Sequence, residues 1–192
     1  MLSTPIVPLG AGFYWVMETT TFDNNGTPIK TTNDTIHIYD DTHLSPKGVT
    51  YYHFDNTYVT ERSDGLYNTD LSFGGPYLYL KFPASVNDVF RAGQISKTIN
   101  FPTSQKPDSM VTIATDYRVG AVNTSISVPA GVFSCNQYVT TWSDVKYHSP
   151  YELDYYFYSA NIGPVQTEHY QRDATNVLKI TSRSRLISKK LN

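Results

Sequence analysis

GFYWVMETTTFDNNGTP, Gly12 to Pro28, is the stretch whose reading decides the fold. Side chains of an extended chain alternate between two faces, so Phe13, Trp15 and Met17 fall on one side and Tyr14, Val16 and Glu18 on the other. Thr, Val and aromatic residues fill the run, and these types suit a half-buried pleated surface. Asn25-Gly26 then supplies the positive φ that a tight hairpin turn requires. The chain is therefore predicted to return antiparallel. The next run, DTIHIYD, alternates as a returning strand should, with Ile36 and Ile38 against Thr35, His37 and Tyr39.

The same grammar continues to the C-terminus. GVTYYHFDN and TYVTERSDGLYNTDL predict two or three strands, with Asp64-Gly65 as a second hairpin signal. PYLYLKF sets Leu78, Leu80 and Phe82 opposite Tyr77, Tyr79 and Lys81. QISKTINF and SMVTIATDY follow, the latter with Val111 and Ile113 together. AVNTSISV puts Val122, Ile126 and Val128 on one side and reaches a corner at Pro129-Ala130-Gly131. LDYYFYS, the turn Ala160–Gly163 and PVQTEHY lead through RDATN into VLKITSRSRLIS. There Leu178, Ile180 and Leu186 are expected opposite Lys179, Arg183 and Arg185. Only PASVNDVFRAG, Pro83 to Gly93, has a helical pattern, enough for one or two turns. About a dozen strands without crossover helices must be connected mostly antiparallel. The expectation is an all-β chain with very little helix, a single antiparallel β domain over residues 1–192. Its sheet should be strongly curved into an open or closed barrel, since closure protects edge strands.

The bulk numbers narrow the function classes. A chain of 192 residues with one cysteine holds no internal disulfide and is long enough to fold around a core without one. The net charge of -2 offers no positive field for nucleic acid. Charged residues are only 17% of the chain while tyrosines number 16, a balance that disfavours helices and favours strands. No run approaches the roughly 18 apolar residues of a membrane-spanning helix. MLSTPIVPLGAGFYW lacks the basic start and apolar stretch of a signal peptide. The chain is thus either cytosolic or the remainder after a removed leader, and its composition favours the second. Oligomeric state is not legible.

Cys135 lies in VPAGVFSCNQYVTTW. Alternation there places Phe133, Cys135 and Val139 on one face and Val132, Ser134, Asn136, Tyr138 and Trp142 on the other. Reactive thiols need a helix N-terminus, a histidine or a cation beside them. None is near in sequence, so a buried, structural cysteine is expected. His37, His43, His53, His148 and His169 form neither a helical pair nor a His-x-His strand pair, so no metal site is expected. Asp40-Asp41 reads as a polar turn in preference to a calcium loop. Gly10-Ala11-Gly12 lacks the third glycine of a dinucleotide fingerprint and precedes a strand. No nucleophile elbow, phosphate loop or other catalytic constellation is present, and the expectation is a non-enzyme without cofactor.

What remains is an aromatic-rich curved sheet. Such sheets hold apolar guests on their inner faces. The inward candidates are Trp15, Ile36, Leu80, Ile113, Phe133, Phe157 and Ile180, core residues first and ligand-binding walls where the sheet leaves space. The alternative is a solid β-sandwich that binds carbohydrate or a protein partner through exposed Tyr and Trp.

LKFPASVNDVF, VPAGVFSC and DYYFYSANIGPVQTEHY, followed by an amphipathic terminal strand, resemble segments of uncharacterised secreted bacterial proteins and lipoproteins. The resemblance covers roughly Leu80 to Leu186, and the chain departs from the family's usual turn at Ser159-Ala160-Asn161-Ile162. It implies an extracytoplasmic protein, periplasmic, outer-membrane-anchored or secreted. Some such proteins are similar in fold to periplasmic lipoprotein carriers, so a lipoprotein-carrier-like or lipocalin-like barrel is implied. A lipid or other hydrophobic small molecule is then the implied partner.

Overall fold

Every strand hydrogen-bonds antiparallel to its neighbours in sequence, with one exception. The computed structural model describes residues 4–44, 48–69, 76–99, 109–144, 150–173 and 177–191. Its strands are β1 (Tyr14–Phe22), β2 (Pro28–Leu44), β3 (Thr50–Phe54), β4 (Thr57–Arg62), β5 (Gly65–Thr69) and β6 (Tyr77–Lys81). The second half contributes β7 (Val89–Ile99), β8 (Ser109–Val128), β9 (Gly131–Asp144), β10 (Pro150–Ser159), β11 (Gly163–Arg172) and β12 (Leu178–Lys190). The order across the sheet runs from β6 back to β1, then to β12 and back to β7. First and last strands therefore pair with each other, and the single break in the ladder falls between β6 and β7. The result is all-β: twelve antiparallel strands in one nearly closed, barrel-shaped sheet, with no helix among the described residues.

The predicted hairpins form for the predicted reasons. Gly26 takes φ of 79°, and Asp23 closes the turn by accepting the Asn25 and Thr27 N–H groups at 2.8 Å through Oδ1. Gly65 takes φ of 145°, and a Cβ there would lie 2.0 Å from the Leu80 carbonyl oxygen. The core contains Trp15, Met17, Ile38, Val59, Leu66, Leu80, Val119, Val165 and Leu186. Residues ahead of β1 complete it: Ile6 and Val7 are fully buried, and the Ile6 N–H donates to Glu61 Oε1 at 2.6 Å. Burial pushes the Glu61 carboxyl up, a shift this hydrogen bond partly offsets.

β-Bulges correct several face assignments. An extra residue in one strand rephases every side chain beyond it. In β6 the register against β5 shifts beside Leu66 and Tyr67, and Tyr77, Tyr79 and Leu80 consequently line one cavity. In β12 a shift opposite His169 and Tyr170 leaves Thr181 unpaired in the register, its hydroxyl donating to the His169 carbonyl at 3.2 Å. Leu178 then joins Glu168 and Tyr170, on the face where Arg183 pairs with Glu168, and not the face of Leu186. In β8 the register shifts twice between Val119 and Thr124, with Asn123 at φ of 55°. Cys135 packs in the core with Tyr138, whereas Val139 lies with Gln137 against Gly120.

The short helix anticipated in Pro83–Gly93 does not form. Asn87 adopts φ of 70°, its N–H donates to the Val119 carbonyl at 2.8 Å, and Val119 returns a bond to Asp88 at 2.9 Å. The segment is thus tied across to β8, and β7 begins at Val89. The side chains of Asp40, Asp41, His43, Val111 and Ile113, and the whole of His148, lie outside the described residues.

Cys135 is buried at 1% exposure, with its thiol 3.7 Å from the Phe133 carbonyl oxygen. Burial pushes the thiol up to about 12. At pH 8 the native protein should show no fast-reacting thiol toward a disulfide reagent, and one equivalent after unfolding in guanidinium. A full equivalent titrating in the native state would contradict a core cysteine.

Candidate functional site: the tyrosine-walled seam

The break between β6 and β7 borders a cavity of about 100 Å³. On one side of the break β6 supplies Tyr77, Tyr79 and Leu80; on the other, β7 supplies Phe90 and Arg91, β8 Tyr117, β9 Tyr138 and Thr140, and β10 Tyr156. No hydrogen-bond ladder joins the two edges, and side chains do the bridging. The Tyr138 hydroxyl donates to the Lys81 carbonyl at 2.8 Å, from β9 across to β6. Phe90 meets the Tyr138 ring edge-on at 6.0 Å. The Arg91 guanidinium sits 3.9 Å from the Tyr77 ring centre and 4.7 Å from that of Tyr117. A cation over two ring faces is held electrostatically, so Arg91 fastens β6 to β8 through their side chains.

The electrostatics follow from burial. It pushes the Tyr138 phenol up to about 12 and the Tyr156 and Tyr158 phenols far above their ordinary value. Tyr79 and Tyr117 rise for the same reason. All five rings are therefore neutral at physiological pH, leaving Arg91 as the charge on the wall. No described carboxylate forms an ion pair with it. Asp154, the nearest candidate by its influence on these phenols, is already engaged. It accepts from the Trp142 indole at 3.3 Å and pairs with His169 Nδ1.

The cavity is smaller than the roughly 150 Å³ that accommodates benzene. It has room for an end group, not for an acyl chain. The neutral phenols offer hydrogen bonds and the rings offer apolar surface. The arginine offers a planar donor fork suited to carboxylate or phosphate.

The residues singled out from the sequence divide between core and site. Trp15 and Leu80 are at 0% and 2% exposure and Phe157 at 6%. Ile36 and Phe133 are partly buried against that core, and Ile180 is half-buried in register with Tyr170. Leu80 is the one that also lines the seam cavity. Sequence reasoning did not single out Arg91 or the tyrosines of the wall. Their signal was the pair Tyr77 and Tyr79, two apart on one strand.

Elsewhere an aromatic ladder crosses β1 to β4 through Tyr14, His37, Tyr39, His53 and Tyr58. Successive ring centres lie 6.0, 5.7, 4.6 and 4.8 Å apart.

These features define a class: an all-β up-and-down meander that closes through its first and last strands and leaves a tyrosine-walled seam. No protein-family model matches the chain, and no curated protein matches it. Among solved structures, the chain is similar to an inferred exported protein with a YmcC-like fold from Bacteroides fragilis, at 16% identity and a TM-score of 0.47, over 96% of this chain and 98% of that one. It is also similar to an inferred lipoprotein from Parabacteroides distasonis, at 17% identity and a TM-score of 0.43, over 97% and 99% of the two chains. No helix among the described residues is long and apolar enough to cross a membrane.

Proposed function

We propose that this chain is a non-enzymatic, extracytoplasmic binding domain whose β6–β7 seam grips the anionic end of an amphipathic ligand. The observation that carries the reading is Arg91, held between Tyr77 and Tyr117 with no described carboxylate partner. A guanidinium so placed is already ordered, so an incoming carboxylate or phosphate does not bear the cost of immobilising it. The small cavity admits the head group of such a ligand, and the unpaired β6 and β7 edges leave a path for the rest. Extracytoplasmic residence is supported by the low charged fraction and by the resemblance of Leu80–Leu186 to exported proteins.

Binding of dodecanoate and of dodecyl phosphate, followed by calorimetry and native mass spectrometry, tests this. Both should bind with one-to-one stoichiometry, while dodecanol binds at least about tenfold more weakly for want of the charge-assisted pair. Arg91→Gln should bring the anionic ligands down to the dodecanol level. Equal affinity for all three ligands, or an Arg91→Gln protein that binds unchanged, would refute the seam as the site.

A further inference from the structure

The face of β9–β12 that carries Glu168 and Arg183 has a depression of about 520 Å³ that the seam does not use. Leu153 and Leu178, Tyr155 and Tyr170, and Gln137 and Glu168 line it. We infer that this depression binds a neutral pyranose unit of a glycan.

Its size falls among small-molecule sites, which range over roughly 300–1,000 Å³. Its charge is cancelled internally. Glu168 Oε1 accepts from Arg183 Nε at 2.7 Å and from Gln166 Nε2 at 3.1 Å, while the Tyr170 hydroxyl donates to Oε2 at 3.0 Å. Burial and then the Glu168 charge push the Tyr170 phenol up, so it remains a neutral donor. A ligand with net charge finds no uncompensated partner in this group.

The shape of the lining favours a ring with one apolar face. Tyr155 and Tyr170 meet at 5.6 Å and 87°, forming a corner of one ring face and one ring edge beside the two leucines. A pyranose stacks its C–H face on such a surface and turns its hydroxyls toward the rim. At that rim the Gln137 side-chain amide forms no hydrogen bond within the described residues. Gly120 on β8 leaves space for it, since a Cβ there would approach Gln137 Oε1 to 2.5 Å. An amide offers donor and acceptor together, which matches neighbouring hydroxyls. A purely apolar guest would strand that amide without water. An extended peptide adding to the sheet requires a free strand edge, whereas β9 to β12 are paired on both sides.

The test is calorimetric titration of the whole chain with maltotetraose, cellotetraose and the acidic trisaccharide of galacturonic acid. Tyr155→Ala and Gln137→Ala are run beside the parent, each first shown to melt cooperatively. At least one neutral oligosaccharide should bind, and each substitution should weaken it about tenfold or more, the scale of one lost stacking or hydrogen-bonding contact. Gln137→Ala removes little packing, so it serves if Tyr155→Ala fails to fold. No binding by either neutral sugar, preference for the acidic one, or affinity untouched by the substitutions would overturn the inference.

Discussion

Raising the pH from 10 to 11 should strip this protein of a large part of its stability. Tyr138, Tyr156 and Tyr158 carry phenols whose folded-state pKa burial lifts above the ordinary value near 10. Below pH 10 both folded and unfolded chains keep these protons, and the stabilising contacts are intact. Above it the unfolded chain releases protons that the folded chain retains, so stability falls with rising pH until each folded pKa is passed. Once the unfolded phenol is fully ionised, every such group costs about 1.4 kcal/mol per pH unit. The unfolded phenols are only half ionised at pH 10, so for these three the first unit above it removes about 3 kcal/mol from a total typically of only 5–15 kcal/mol. At roughly 2–4 °C per kcal/mol, the melting temperature should drop by about 6–12 °C. Tyrosinate absorbance and circular dichroism, recorded together, decide the matter. Part of the absorbance should rise only as the β-signal collapses. Smooth titration of all 16 tyrosines about pH 10 with the β-signal intact would show that the seam rings are wet.

The sequence made the strands and hairpins legible and left their phase obscure. Alternation and turn residues placed Trp15 with Met17 and located Gly26 and Gly65, because these depend on neighbours in sequence. Tyr79 illustrates the limit. It alternates regularly with Leu78 and Leu80 in the sequence, yet the register against β5 slips by one residue there, turning it into the cavity. Thr181 does the same to Leu178 and Ile180 in β12. A bulge is a negotiation between two paired strands, and only one of them is visible in a local pattern. The seam was hidden for a related reason. The segment between β6 and β7 carries a short helical pattern, but Asn87 and Asp88 bond instead to Val119, leaving the two edges apart. Arg91 then looks like one more exposed cation until the fold brings Tyr117 beside it.

Replacing Trp15 by alanine should cost the fold about 3–5 kcal/mol for the lost aromatic packing, with about 1–3 kcal/mol more for the carbonyl it orphans. The indole is fully buried, tilted against Phe54 at 5.8 Å, and donates its N–H to the Ile162 carbonyl. That bond joins β1 to the β10–β11 turn, two strands beyond β12. Gly163, the next residue, explains why the turn accepts so large a ring. It takes φ of 93°, and a Cβ on it would stand 3.0 Å from the indole Cζ2 and 3.1 Å from Cε2 and Nε1. Gly163→Ala therefore suffers twice, from backbone strain and from the ring. Trp15→Phe removes Cζ2 and Nε1, so it should relieve the second cost while leaving the first. Urea unfolding of the two single variants and the double variant separates these terms. The double variant should be more stable than the sum of the single losses predicts, by about 1 kcal/mol or more. Strict additivity would mean that backbone strain alone excludes alanine at Gly163 and that the indole has room to move.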